Sequence, residues 1–413
     1  MKPKSVGQER RVHVQGFKYL WGVMPLLERL RDSGCVRDKA GNRTLFFDQY
    51  VALLLLSMFS PTIRSLRDVS AASDLRAVRR KLGVKHVSLG SFSESSHLFD
   101  PTLLEEVISE LSEDLRPTEG DPRLKDLRHC LTLVDATLVR SLPKMAQAMW
   151  HGGCDGSVHH GWKLHTHFEL DTHTPARIDL SEPMAGEKTV LAEHLLKGRC
   201  YVMDRGYHGY QLFQKIHSIG SSYVCRIRDN SRLIEPEQRP LSADARVAGV
   251  VSDRVGQLGV IHSPSHPVRV IEVTCTPRSK GGGKGYAPQP AQQTLRIATD
   301  LLDVPAEIVA LIYQHRWTIE VFFRFFKQVL GCRHLLSAHP NGITIQVYCA
   351  IIACLLLNRW TGAKPGKQAV TMFAWYFMGW AEEDEVERFL TRPDNTGIKL
   401  RAKDELWKKL GVN

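Results

Sequence analysis

"CLTLVDATLV", residues 130–139, is the stretch on which the fold turns. Its apolar, β-branched residues read as a strand, yet Asp135 interrupts it. Aspartate is depleted in strands, and a lone buried carboxylate costs several kcal/mol unless it is paired or metal-bound. The plainer role is a hydrogen-bonded turn residue. Working outward, "WKLHTHFEL" (162–170) alternates and "PARIDLSEP" (175–183) follows. "EKTVLAEHLLKG" (187–198) reads as a helix ended by Gly198. "RCYVMD" (199–204) is a strand, "HGYQLFQKIHS" (208–218) a helix and "SSYVCRIR" (221–228) a strand. The order β-β-β-α-β-α-β predicts an α/β core, a mixed sheet with helices packed on it. Asp204 closes one of these strands, where α/β folds present functional groups; its plainer role is a cap.

Residues 229–303 break the pattern. "ARVAGVV", "HPVRVIEVTC" and "TLRIATDL" are β-rich, and "RSKGGGKGYAPQPAQQ" is a glycine- and proline-rich loop. We read an inserted β-region with a mobile hairpin. "GGGKG" lacks the spacing of a phosphate-binding loop. A helix from near Pro305 follows and carries "YQHRWTIEVFFRFFKQ", residues 313–328. At 100° per residue, Tyr313, Arg316, Glu320 and Lys327 fall within an arc of roughly 60° over about 21 Å. Ile312, Ile319, Phe322, Phe323, Phe326 and Leu330 form the adjacent apolar arc. Alone, this stripe reads as a solvated face whose Arg316–Glu320 pair is worth a few tenths of a kcal/mol. Asp135 and Asp204 change the weighting. Three carboxylates on two strands and a helix can converge on divalent metal for phosphoryl transfer, with Arg and Lys holding DNA phosphates.

The first ~125 residues show helical periodicity. Within 65–100, Arg76, Arg79, Arg80 and Lys81 cluster between short helices, as in a helix-turn-helix or in a plain helical hairpin with a basic face. The end of the chain is helical again. Its most apolar run, "VYCAIIACLLL" (347–357), is too short to span a bilayer and reads as a buried helix. The formal net charge of +11 and the pI near 9.2 suit a polyanionic partner, nucleic acid or an acidic membrane surface. Nine scattered cysteines without a CxxC pair point to a reducing cytosol and no structural zinc. The first residues contain no apolar signal-peptide core. Among the histidines of 151–173, Lys163, His165 and His167 share one strand face. A place for Lys163 or His165 near a scissile phosphate is favoured over a zinc site.

The spacing of Tyr313, Arg316, Glu320 and Lys327, together with "VDATLVRSLP" around Asp135 and "DRGY" at 204–207, resembles the DDE transposases of bacterial insertion sequences. The group in question carries Tyr-x2-Arg-x3-Glu-x6-Lys, and the resemblance covers roughly residues 131–331. It implies an RNase H-like catalytic domain over 126–331 with a β-rich insertion at 229–303. A helical, DNA-end-binding region (1–125) would precede it, and a helical region (332–413) serving dimerisation would follow. Asp135, Asp204 and Glu320 would be catalytic and metal-binding, with two Mg²⁺ ions and Mn²⁺ able to substitute. Tyr313, Arg316 and Lys327 would contact the DNA backbone, with Arg76, Arg79, Arg80 and Lys81 as further DNA contacts. The expected partners are terminal inverted repeats, target DNA and a second copy in a synaptic homodimer. The expected place is the bacterial cytoplasm, at the nucleoid and not the membrane. The activity implied is cleavage at the element's ends and joining of the 3′-OH to target DNA. Rival readings are a nuclease without strand transfer and a non-catalytic DNA-binding regulator. One departure stands out. Hairpin-forming relatives are expected to stack a flipped base on a tryptophan of the insertion, and this insertion has none; Tyr286 is its only aromatic residue.

Overall fold

A computed structural model describes residues 20–391, apart from 21, 61, 116–120, 141–148, 153–156, 276–292, 329–334, 338 and 363–366. Strand β1 (Cys130–Arg140) is hydrogen-bonded along both edges. It runs antiparallel to β3 (Ser157–Glu169) and parallel to β5 (Arg199–Met203). Because both edges and both faces are covered, Leu131, Leu133, Val134 and Val139 are buried. Beyond β3 lies β4 (Thr174–Ser181), antiparallel, and beyond β5 lies β6 (Ser222–Arg226), parallel. The order β4-β3-β1-β5-β6 with these directions is that of an RNase H-like sheet. A short β2 (Met149–Gly152) pairs with the first residues of β3.

The insertion does not form a sheet of its own. β10 (Gln293–Thr299) pairs antiparallel with β6, and β9 (Val268–Cys275), β8 (Val250–Leu258) and β7 (Leu233–Gln238) follow in one ten-stranded sheet. "ARVAGVV" is not one strand: a helix, Ala243–Val247, precedes β8. β7 has no clear strand pattern in sequence. It is a polar edge strand carrying Pro236, which only an edge tolerates. The hairpin tip with Tyr286 lies outside the described residues. The helix expected to run to Gly198 spans Glu187–Glu193 only. Its continuation is diverted because the Leu196 N–H donates to the Tyr201 hydroxyl (2.6 Å) and the Leu196 carbonyl accepts from Ser221 Oγ (2.7 Å). Gly198, at φ +77°, then turns the chain into β5.

The aromatic helix starts after Pro305 as expected, but it is two helices, Ala306–His315 and Trp317–Gln328, with a turn at Arg316. Ile319, Phe322, Phe323 and Phe326 are buried as the apolar arc requires; Leu330 lies outside the described residues. The apolar run near the end belongs to a 22-residue helix, Pro340–Thr361. By length and hydropathy the whole helix, unlike the shorter run within it, could cross a membrane. Burial decides its role: 78% of its most apolar window lies inside the protein. It packs against helices Phe47–Phe59, Leu89–Leu98 and Leu103–Glu113 and against β4. The Tyr348 hydroxyl donates to Glu105 (2.9 Å), and Asn358 Nδ2 to the Thr172 carbonyl (2.6 Å). The first and last helical regions therefore share one core with the sheet.

A buried ion pair fastens the added strands. Arg269 on β9 donates to both oxygens of Asp253 on β8 (2.9 and 2.7 Å) and to the Leu301 carbonyl (3.0 Å), with both side chains at most 3% exposed. Removing one partner strands a buried charge. Arg269→Met is expected to lower unfolding stability by about 3–5 kcal/mol, measured by urea unfolding. A loss under about 1 kcal/mol would mean the pair contributes little.

Candidate active site

The parallel register Val134↔Met203 sets Asp135 and Asp204, the next residue of each chain segment, side by side. Asp204 does cap the turn Arg205–Tyr207, its Oδ1 accepting the Gly206 N–H at 2.7 Å. Asp135 Oδ1 accepts the Ala136 N–H at 2.8 Å. Glu320 enters from helix Trp317–Gln328, which lies on β1. Asp135 feels both of the other acids. Burial, then Asp204 and also Glu320, push the Asp135 carboxyl up to about 7, against the Ala136 hydrogen bond and Arg316.

Arg316 and Lys327 do not form a solvated face, although Arg324 on the same helix is exposed. Arg316 Nη2 donates to Glu320 Oε1 at 2.7 Å, and its side chain is 17% exposed. Burial opposes the Arg316 charge, but Tyr313, Glu320 and Asp135 outweigh it and hold the guanidinium above its ordinary value. Its Cζ lies 6.0 Å from the centre of the Tyr313 ring. Burial pushes the Tyr313 hydroxyl up to about 12. Lys327 Nζ donates to Thr137 Oγ1 at 2.6 Å, and burial lowers its pKa. Thr137 is two residues beyond Asp135, so both point to the same sheet face.

Other expected residues lie elsewhere. Asp135 pairs with Thr166, so His165, the partner of Ala136, and Lys163 point to the opposite face. There Lys163 donates to the Ala185 carbonyl (3.0 Å) and sits 3.6 Å from Glu187. His165 is buried with Nε2 2.7 Å from Ser181 Oγ, and burial, then Lys163, push it down to about 4. The pleat's period of two thus turns both side chains away from the sheet face that carries Asp135. Arg76, Arg79 and Arg80 are exposed and Lys81 half-buried on helix Arg76–Leu82, which packs on helices Phe47–Phe59 and Leu66–Ser73 rather than on β1. Two neighbours of the site lie inside the segments that carry the resemblance but were not singled out there. One is Thr137. The other is Tyr207, whose buried hydroxyl has no hydrogen-bond partner among the described residues and feels Glu187, Asp135 and Asp204.

Asp204 and Glu320 both oppose ionisation of Asp135, and three carboxylates gathered in this way are acceptor oxygens that a cation would satisfy, which fits a hard divalent ion such as Mg²⁺. The family model described as "Transposase DDE domain" matches residues 126–356, more than half of the chain. A Geobacillus stearothermophilus protein, named as a transposase for insertion sequence element IS5377, is 28% identical over 245 residues. That alignment covers 58% of this chain and 58% of the relative. A Synechocystis protein, named as a transposase for insertion sequence element IS4SA, is 24% identical over 75% of this chain and 83% of its own. A transposase of Sinorhizobium fredii, y4zB, is 26% identical over 48% of this chain and 53% of its own length. The matches thus span little more than half the length of two of these relatives. A solved synaptic complex of piggyBac transposase with hairpin DNA aligns over 99% of this chain and 88% of that one, at 11% identity and a TM-score of 0.42.

The raised Asp135 pKa fixes a pH dependence for the metal-free protein. The folded state keeps the proton up to about 7, whereas the unfolded chain releases it near pH ~4. The contribution is fully present below the unfolded value and is lost as pH rises through the folded one. Asp135→Asn escapes this loss. In EDTA it is expected to be more stable than the parent at about pH 8, on the order of 1–3 kcal/mol, and to match it near pH ~4. Urea unfolding at both pH values checks this, and a constant difference would contradict it.

Proposed function

This chain belongs to the DDE transposase family, and we propose that it cleaves DNA at the terminal inverted repeats of an insertion sequence and joins the freed 3′-OH to target DNA. The observation that carries the reading is the meeting of Asp135, Asp204 and Glu320 around a carboxyl pushed up to about 7. In this reading the chain falls in the group marked by Tyr-x2-Arg-x3-Glu-x6-Lys, through Tyr313, Arg316, Glu320 and Lys327.

Asp135, Asp204 and Glu320 would hold divalent metal, Mg²⁺ with Mn²⁺ able to substitute, which supplies activation of the attacking oxygen and neutralisation of the leaving one. Arg316 fixes the Glu320 side chain and keeps its own charge despite burial. Lys327, held by Thr137 on the face of Asp135, offers a half-buried ammonium to a DNA phosphate. Tyr313 keeps its proton at any physiological pH and can donate to a phosphate oxygen. Water attacks first and the 3′-OH second. Both attack a phosphodiester in line, so one acidic site serves both steps.

The helical region 1–125 holds the element's end through the exposed Arg76, Arg79 and Arg80 with Lys81, and residues 126–331 perform the chemistry. Two copies bridge two ends. Since helix Pro340–Thr361 is buried, their contact falls to helices Lys367–Phe377 and Glu383–Thr391, near which Trp375 and Trp380 are exposed.

Asp204→Asn keeps an oxygen for the Gly206 N–H, and Asp135→Asn and Glu320→Gln keep their shape. Each is expected to abolish Mg²⁺-dependent nicking of an end oligonucleotide without lowering the melting temperature. Near-parental nicking would remove that residue from the site. With cognate ends and target DNA, the parent is expected to yield joined products; cleavage without joining would make it a nuclease. Separately, Lys327→Ala is expected to weaken end binding and flatten the slope of log affinity against log salt by about one unit. An unchanged slope would mean that Lys327 meets no phosphate.

A further inference from the structure

A second cluster of ligand-bearing side chains lies where the insertion joins the core. His217 stands near the end of helix Tyr210–Ser218, His266 just before β9, and Asp300 just past β10. One ligand atom from each lies within 4.8 Å of the other two. The Asp300 side chain is only 3% exposed. Its Oδ1 accepts the Tyr223 N–H (3.1 Å), and its Oδ2 lies 2.8 Å from His217 Nδ1. The His266 ring stacks on His217 with centres 3.9 Å apart, and Nε2 is 3.0 Å from the Tyr223 hydroxyl. Its Nδ1 is buried and has no hydrogen-bond partner among the described residues.

An ordinary His–Asp pair accounts for His217 and Asp300 but leaves His266 Nδ1 unexplained. A buried imidazole nitrogen without a partner forgoes a hydrogen bond at a cost. If Nε2–H donates to the Tyr223 oxygen, Nδ1 carries a lone pair and no proton. That is how a metal-binding histidine is held by a partner on its other nitrogen. Burial, followed by His217, pushes His266 down to about 4, so its ring is neutral at physiological pH. The neighbouring carboxylate supplies negative charge and needs a counter-charge.

We propose that His217, His266 and Asp300 form a structural site for a borderline divalent transition metal of the Zn²⁺ class, which clasps the insertion to the core. Two imidazoles and one carboxylate select such an ion over Mg²⁺, which prefers an all-oxygen set. His217 Nδ1 is engaged with Asp300, so binding an ion turns the His217 ring. With its side chain 46% exposed, His217 has room to do so. The ion then replaces the His217–Asp300 hydrogen bond, and water completes its coordination. Residues 217, 266 and 300 are distant in sequence, so the ion cross-links the helix before the insertion to a loop within it and to its exit.

The test is thermal unfolding of the full chain in EDTA, Zn²⁺ or Mg²⁺, for the parent, His217→Ala and Asp300→Asn. Zn²⁺ is expected to raise the parent's midpoint by roughly 2–4 °C and neither variant's, with no comparable rise in Mg²⁺. Co²⁺ should give visible d–d absorption with the parent that His217→Ala lacks. His217 is half-exposed, so this variant is expected to fold even if Asp300→Asn does not. No Zn²⁺ response in the parent, an equal response in the parent and His217→Ala, or an equal rise with Mg²⁺ would each overturn the site.

Discussion

Asp135 stands on a strand hydrogen-bonded along both edges, where burial and two neighbouring acids push its carboxyl up to about 7. A carboxylate there is tolerable only if something positive answers it. Arg316 answers part of the charge from the helix lying on β1, at the cost of its own desolvation. In the function proposed above, a divalent cation would answer the rest of the demand.

The same helix shows how the sheet sets the site's geometry. No proline or glycine lies between Tyr313 and Lys327, yet the helix turns at Arg316, whose N–H bonds to the Tyr313 carbonyl at 3.1 Å. Its two halves rest on different supports. Ala306–His315 packs on β5, β6, β8 and β9, and Trp317–Gln328 packs on β1. The insertion thus helps to carry the first half, and the Arg269–Asp253 pair, which also binds the Leu301 carbonyl, anchors the strand exit leading into it.

The helical regions at the two ends of the chain are joined by Pro340–Thr361. Apolar on every side, this helix could suit a bilayer or a protein interior equally well on composition. Its neighbours at Phe47–Phe59 and Leu103–Glu113, and the hydrogen bonds from Tyr348 and Asn358, settle it as a core element.

The sequence carried the order of the core elements, because strands with period-two or continuous apolar runs alternate with amphipathic helices between residues 130 and 228. It also singled out Asp135, as an acid that has no business in an apolar strand, and the spacing of Tyr313, Arg316, Glu320 and Lys327. What it could not carry depends on partners far along the chain. β7 is polar and contains Pro236, so only its pairing with β8 makes it a strand. The helix from Glu187 stops early because Tyr201 and Ser221 take the backbone of Leu196. Lys163 and His165 sit close to Asp135 in strand register, yet a one-residue offset in that register turns them to the other face. Residue type and period are local properties and can be read from the chain, whereas the face a side chain occupies is fixed only when another strand pairs with it.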